Sequence, residues 1–197
     1  MALLPITVLG APILREETVP VEVVTDELRQ LAADMFETMK GADGVGLAAP
    51  QVGRRERLCV VEVEETRLTL FNPEIVAREG RIKWEEGCLS IPNTFGTVDR
   101  SERVTVRAIN EHGAPIEVTA DGLLGVCLQH EIDHLHGKLF IDHLSFLKRR
   151  SVLATWDKEK ERYPKLVRIF GPGGTDPLPS ADGETEGATE SSARPLT

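Results

Sequence analysis

His130-Glu131-Ile132-Asp133-His134 dictates more about this chain than any other stretch of it. On an α-helix the spacing puts both imidazoles on one face, close enough to grip a single metal ion, with a carboxylate beside it to take a proton from water. The segment from about Asp121 to His136 reads as that helix, with Gly137 as its stop. At about 100° per residue, Leu123, Cys127, His130, Glu131 and His134 fall on one side, and Leu124, Leu128, Ile132 and Leu135 on a neighbouring side. The chain must therefore fold so that one flank of this helix is buried against a sheet while the other faces a cleft.

Two histidines do not complete a metal site, so a third ligand is required. The downstream pattern H-E-x-x-H-x-x-G-x-x-H holds through Gly137 and fails at Phe140, which cannot coordinate. His136 turns to another side of the helix and His143 lies beyond the glycine stop, so both read as surface residues. Upstream, Glu86-Gly87-Cys88-Leu89-Ser90 offers a thiolate in a segment bounded by Pro92, and Cys with two His and one open position is a recognised catalytic set. Cys59 sits in the apolar run Leu58-Cys59-Val60-Val61 and reads as core, whereas Cys127 shares the face of His130 and could line a pocket. Three cysteines without paired spacing argue against a disulfide framework. Cys88 is the preferred ligand.

A third feature is the run of small residues from Gly44 to Pro50, which ends in the amide of Gln51. Its glycines let a backbone pass close to a ligand, and without a Gly-Lys-Ser/Thr ending it is no phosphate loop. Taken in order, these segments resemble peptide deformylase. That family carries a glycine-rich motif ending in Gln, then Glu-Gly-Cys-Leu-Ser, then Gln-His-Glu-x-x-Asp-His-Leu. Here they stand as Gly44 to Gln51, Glu86 to Ser90 and Gln129 to Leu135, and the resemblance spans roughly residues 5 to 145. One departure is Asn93-Thr94-Phe95, where many members carry a longer polar or basic side chain that contacts the peptide.

The resemblance implies a metal-dependent hydrolase that removes the formyl group from N-formylmethionyl nascent peptides and releases formate. It implies one divalent ion per chain on Cys88, His130 and His134, with Fe2+ as the physiological ion; Zn2+, Ni2+ and Co2+ suit the same ligands. Glu131 would be the general base, and the Gln51 amide and the Leu89 backbone N–H would be donors to the developing oxyanion. Val45, Leu89, Val126 and Cys127 are candidate walls of an apolar slot for methionine, and Gly46 and Glu86 complete the expected substrate-binding set. Glu86 could also pair with Arg100 and hold the cysteine loop in place.

Element by element the chain reads as α+β, with mixed or antiparallel sheets packed around the helix that carries HExxH. An N-terminal helix and a C-terminal helix flank it. Thr25 can cap a helix opening on Asp26 and Glu27, with Leu28, Leu31, Ala32, Met35 and Met39 at helical spacing and Gly41 as its stop. Strands are expected at Leu58 to Val63, Leu68 to Phe71, Glu74 to Ala77, Arg103 to Arg107 and Pro115 to Thr119, the last two joined by a turn at Glu111-His112-Gly113. A third helix runs from Ser145 to about Arg162, ended by Pro164. From Lys148 to Arg168 there are eight Lys or Arg against three Asp or Glu, which reads first as a solvated face. The resemblance offers transient ribosome contact through residues 148–168 as the alternative. Residues 1–170 are thus expected to form one catalytic domain, and 171–197, acidic and rich in Gly, Pro and Ser, a flexible tail.

Composition narrows the setting. A net charge of -9 argues against DNA or broad nucleic-acid binding, and no apolar run approaches the roughly 20 residues of a membrane span. Met1 to Leu14 is broken by Pro5 and Pro12 and reads as no leader, so a cytoplasmic protein without membrane contact is expected. The rivals are a metalloprotease, which shares HExxH, and a non-catalytic zinc domain, which would close the site with a fourth protein ligand.

Overall fold

A computed structural model describes residues 3–170 together with Thr175 and Asp176. The chain opens with a short strand, β1 (Ile6–Thr7), and a 3-10 turn at Pro12–Arg15 leads towards α1 (Asp26–Gly41). Thr25 starts α1 as expected: its hydroxyl accepts from the Leu28 N–H at 3.3 Å, and Asp26 and Glu27 sit at the positive end of the helix dipole. Leu31, Ala32, Met35, Phe36 and Met39 are buried against β2 (Gly46–Ala48) and β3 (Leu58–Val63). Large apolar side chains buried this fully stabilise the fold by roughly 1.5–3 kcal/mol each.

Two strands expected around Phe71 and Glu74 are one long strand, β4 (Thr66–Glu79), whose register shifts between Phe71 and Glu74 and again between Ile75 and Ala77. Asn72-Pro73 reads as a break in sequence but forms a bulge. Asn72 takes φ +50°, and its amide accepts from Val21 N–H at 2.8 Å and donates to Val21 C=O at 2.7 Å, so the side chain pins the irregularity. A hairpin that the periodicity did not reveal follows, β5 (Ile82–Gly87) against β6 (Phe95–Arg100). Then come β7 (Arg103–Ile109) and β8 (Pro115–Asp121), paired in register as expected. The main sheet has order β2-β3-β4-β7-β8 and is antiparallel throughout.

Next is α2 (Gly122–Leu135), and ten of its 14 residues are buried, so it is the interior helix around which the sheets pack. It stops where Gly137 adopts φ +67°: Gly137 N–H donates to His134 C=O and Lys138 N–H to Asp133 C=O, which caps the last carbonyls. A side chain at 137 would also collide with the Arg15 carbonyl, 2.6 Å from an added Cβ. A third helix, α3 (Phe146–Glu159), buries only Val152 and Trp156 and leaves Phe146 and Leu147 exposed. Its 3-10 extension covers Lys160–Arg162, and β9 (Val167–Arg168) returns to pair antiparallel with β1.

No helix among the described residues is long and apolar enough to cross a membrane. Most of the expected tail, residues 171–174 and 177–197, lies outside the described residues. Thr175 and Asp176 fall within that expected tail yet fold back: Phe170 bridges to Asp176, and Asp176 pairs with Arg168 at 3.1 Å.

Candidate metal centre

Three elements converge on one point. The turn after β5 carries Cys88, α2 carries His130 and His134, and the 3-10 turn at Ala49–Val52 carries Gln51. Cys88 Sγ lies 3.3 Å from His134 Nε2, and the two Nε2 atoms are 3.2 Å apart. Ligand atoms about 2.0–2.3 Å from one shared ion, at tetrahedral angles, stand about 3.3–3.6 Å from one another. Both measured sides of the triangle therefore fit a tetrahedral metal site. All three residues are buried, and their ligand atoms lie within 4.8 Å of one another. Among the described residues no fourth Cys, His, Asp or Glu joins that set.

The tautomer of His130 suits ligation. Glu86 Oε2 is 2.9 Å from His130 Nδ1; a carboxylate only accepts, so Nδ1 carries the proton and the Nε2 lone pair faces Cys88 and His134. Glu86 is itself clamped by a two-pronged bond from Arg100, Nε to Oε1 at 2.6 Å and Nη2 to Oε2 at 2.9 Å, while Nη1 reaches Asp133 at 2.5 Å. Burial alone would raise the Glu86 carboxyl, but Arg100 and His130 outweigh it and bring it down to about 2. Burial likewise opposes ionisation of Asp133, yet His143, bonded at 2.7 Å, and Arg100 hold it below the ordinary carboxylate range.

Burial lowers both imidazoles, and for His134 the neighbouring His130 lowers it further, so it stays neutral. For His130 the attraction of Cys88 and Glu86 overcomes burial and raises it well above the usual value. The triangle thus favours one positive charge at its centre, which a proton or a metal ion can supply, and the two compete.

Glu131 lies beside the triangle with Oε2 buried and without a hydrogen-bond partner. Burial, reinforced by the charge of Glu86 and opposed by His130, lifts its carboxyl to about 7. The cavity it lines, with Val45, Gly46, Gln51, Cys88, Leu89 and His130, holds ≈ 10 Å³, room for about one water. Gln51 is oriented by its own backbone: Oε1 accepts from Ala48 N–H at 2.8 Å, which leaves Nε2 donating to Ser90 Oγ at 3.2 Å and facing Cys88 Sγ at 3.7 Å. A larger cleft of ≈ 230 Å³ shares Cys88 and Leu89 and continues past Asn93, Phe95 and Arg168.

The expected residues thus divide. Cys88, His130, Glu131, Gln51, Leu89, Val45 and Gly46 line the small cavity, and His134 joins Cys88 and His130 in the ligand triangle beside it. Glu86 does not face open space; it is fully buried and spends both oxygens on Arg100 and His130. Val126 and Cys127, expected as slot walls, are also fully buried in the core, with Cys127 Sγ 3.7 Å from the Val45 carbonyl. They share the face of His130 but lie one turn earlier, where α2 packs on β2 and β3. His136 and His143 are not ligands; each meets a carboxylate, Glu17 and Asp133 respectively. Sequence reasoning missed Ser90 and Asp133, although both stand inside the quoted motifs, and it missed Arg168, for which no local signal exists.

The sequence model of the polypeptide deformylase family matches residues 3–150. A peptide deformylase of Acinetobacter baumannii is 51% identical over 172 residues, covering 85% of this chain and 94% of the relative. The crystal structure of a peptide deformylase from Legionella pneumophila superposes with a TM-score of 0.78 at 47% identity, covering 81% of this chain and 96% of that one. A peptide deformylase from Synechococcus elongatus, solved in complex with actinonin, gives a TM-score of 0.75 at 43% identity over 78% of this chain and 86% of its own.

Proposed function

This chain belongs to the polypeptide deformylase family, and from that premise we propose that it hydrolyses the formyl amide of N-formylmethionyl nascent peptides, with Glu131 moving the proton beside a metal ion held by Cys88, His130 and His134. One observation carries the reading. A buried Cys/His/His triangle stands beside a cavity with room for about one water, which Cys88 and His130 line together with Glu131, whose buried Oε2 has no hydrogen-bond partner.

A divalent ion held there supplies Lewis acidity, polarising the formyl carbonyl and letting a water ionise near neutral pH. Glu131 takes the proton of that water and hands it to the departing amine. The hydroxyl ends on the formyl carbon as formate, and the proton ends on the new amino terminus. With a carboxyl near 7, Glu131 can both accept and return a proton at neutral pH, and a cation nearby would draw it lower. The Gln51 amide, already oriented by Ala48, and the Leu89 N–H are the proposed donors to the developing oxyanion, where a fixed donor needs no reorganisation.

Selectivity follows from size. A formyl carbon bears only hydrogen, whereas any longer acyl chain outgrows a ≈ 10 Å³ space. Val45, Gly46 and Leu89 wall that space, and the remaining peptide is assigned to the adjoining ≈ 230 Å³ cleft. Because the donor set accepts several ions, Fe2+ is proposed on family resemblance, to be checked by metal analysis after anaerobic purification. Formylated chains emerge in the cytoplasm, where we place the activity. Transient ribosome contact through residues 148–168 is supported by their excess of Lys and Arg; binding should weaken steeply with salt, and binding that survives their deletion rules the contact out.

The decisive experiment incubates the protein with a short formyl-Met peptide and follows formate and fragments separately. Formate with an intact peptide is expected. Internal cleavage would mean a metalloprotease, and no reaction by metal-loaded protein would mean a structural metal site.

A further inference from the structure

The loop that presents Cys88 is held in part from outside the matched family region. Cys88–Ile91 forms a turn, with Ile91 N–H donating to Cys88 C=O at 2.8 Å. The next two carbonyls of the turn are satisfied by segments near the start and near the end of the described residues. Ser90 C=O accepts from Leu9 N–H at 2.8 Å, just after β1, and Leu89 C=O accepts from Arg168 Nη1 at 3.1 Å, in β9. Residue 168 lies beyond the 3–150 span of the family match.

Arg168 is itself held in place. Its side chain is 13% exposed, its backbone pairs with Ile6, and its Nε and Nη2 reach one oxygen of Asp176 at 3.2 and 3.1 Å. Asp176, 10% exposed, donates its N–H to Ile169 C=O, and its other oxygen accepts from Thr175 Oγ1 at 2.8 Å. Thr175 Oγ1 in turn accepts from Ile169 N–H at 2.8 Å. The guanidinium therefore sits in a self-bonded clasp that leaves Nη1 for the Leu89 carbonyl. A charged donor makes a stronger bond to a carbonyl than a neutral one, and the clasp prevents it from drifting into solvent.

We propose that Arg168 is a positioning residue for the hydrolytic site: through the Leu89 carbonyl it fixes the Cys88–Leu89–Ser90 backbone, and with it the sulfur ligand and the Leu89 N–H. The proposal rests on the deformylase reading and adds a residue to it. Arg168 touches neither the ligand triangle nor Glu131, but it also lines the ≈ 230 Å³ cleft assigned to the peptide. An effect carried by the loop is therefore one read in kcat and metal loss, whereas a direct peptide contact would be read in KM.

The test compares wild type with Arg168→Ala, Arg168→Lys and Asp176→Asn as full-length, metal-loaded proteins. It measures kcat and KM for formate release, metal loss to an added chelator without substrate, and Tm. Loss of one charge-assisted bond predicts about a tenfold lower kcat and about tenfold faster metal loss for Arg168→Ala, with KM changed less than about threefold. Arg168→Lys, which keeps a charged donor, should return both readouts to within about threefold of wild type, and Asp176→Asn should shift them in the same direction by about threefold. If Arg168→Ala matches wild type in kcat and in metal loss, the proposal is overturned, whatever happens to Tm. Should Arg168→Ala fail to fold, unchanged kcat and metal loss in Asp176→Asn overturn it instead. Wild type that releases no formate would refute the deformylase reading, while the chelator comparison still decides the role of Arg168.

Discussion

At the scale of single residues, the site depends on a few atoms that have no substitute. Glu131→Gln keeps the shape of the side chain and removes its basicity; it should retain a full metal equivalent while formate release falls about 10²–10⁴-fold. Undiminished turnover would remove Glu131 from its role. Gly46 shows how tightly that carboxylate is packed: an added Cβ would lie 2.7 Å from Cys127 Sγ and closer still to Glu131 Oε1. Gly46→Ala should therefore displace Glu131 and lower kcat at least tenfold, with an overpacking cost of about 1–3 kcal/mol seen as a lower urea midpoint. The triangle also ties metal to pH. His130 is held well above the ordinary imidazole value without metal, so protons compete with the ion as pH falls. Metal titrations at successively lower pH should show weaker binding and greater proton release on loading; affinity independent of pH would contradict this.

At the scale of elements, the β5–β6 hairpin and α2 are joined by buried charge. Arg100 on β6 bonds Glu86 on β5 and Asp133 on α2, and its side chain is 4% exposed. Removing one partner leaves an uncompensated buried charge, so Arg100→Met should cost about 3–5 kcal/mol in urea unfolding of the metal-free protein. The acid dependence has a definite sign. Glu86 titrates near 2 when folded, below the roughly 4.3 of an unfolded chain, so its contribution is fully present above the unfolded value and lost as pH falls through about 2. Asp133, also depressed, acts in the same direction. Glu86→Gln should flatten the stability–pH curve between pH 4 and pH 2, within about half a unit, relative to wild type.

Across the whole molecule, one site draws together segments from the start, the middle and the end of the described residues. β1 and β9 flank the cysteine turn, and α2 crosses beneath the sheet to meet it. Metal binding should therefore stabilise the entire fold. With the ion at about a hundredfold over its Kd the linkage is worth about 2.7 kcal/mol, or about 5–10 °C in Tm for a chain of this size. Chelation followed by Zn2+ restoration, watched by calorimetry, checks it. If Arg168 positions the cysteine turn, its clasp partner Asp176 is needed for turnover as well. Truncation after Asp176 should leave kcat within twofold, whereas truncation after Phe170 should slow it and hasten metal loss.

Local chemistry alone determined α1, the α2 boundaries and the β7–β8 pairing, because a capping threonine, a stop glycine and strict alternation act within a few residues. It also determined which side chains could hold a metal, since HExxH on a helix and one thiolate in a Pro-bounded turn are properties of types and spacing. The β5–β6 hairpin stayed hidden because Glu86 occupies a buried position where alternation calls for an apolar side chain, and only Arg100 and His130 make that burial tolerable. The same holds for Val126 and Cys127, expected as slot walls but packed on β2 and β3, and for Arg168, whose carbonyl partner is 79 residues away. Such partners meet only when the chain is folded, because bonds between distant segments leave no periodicity in either one.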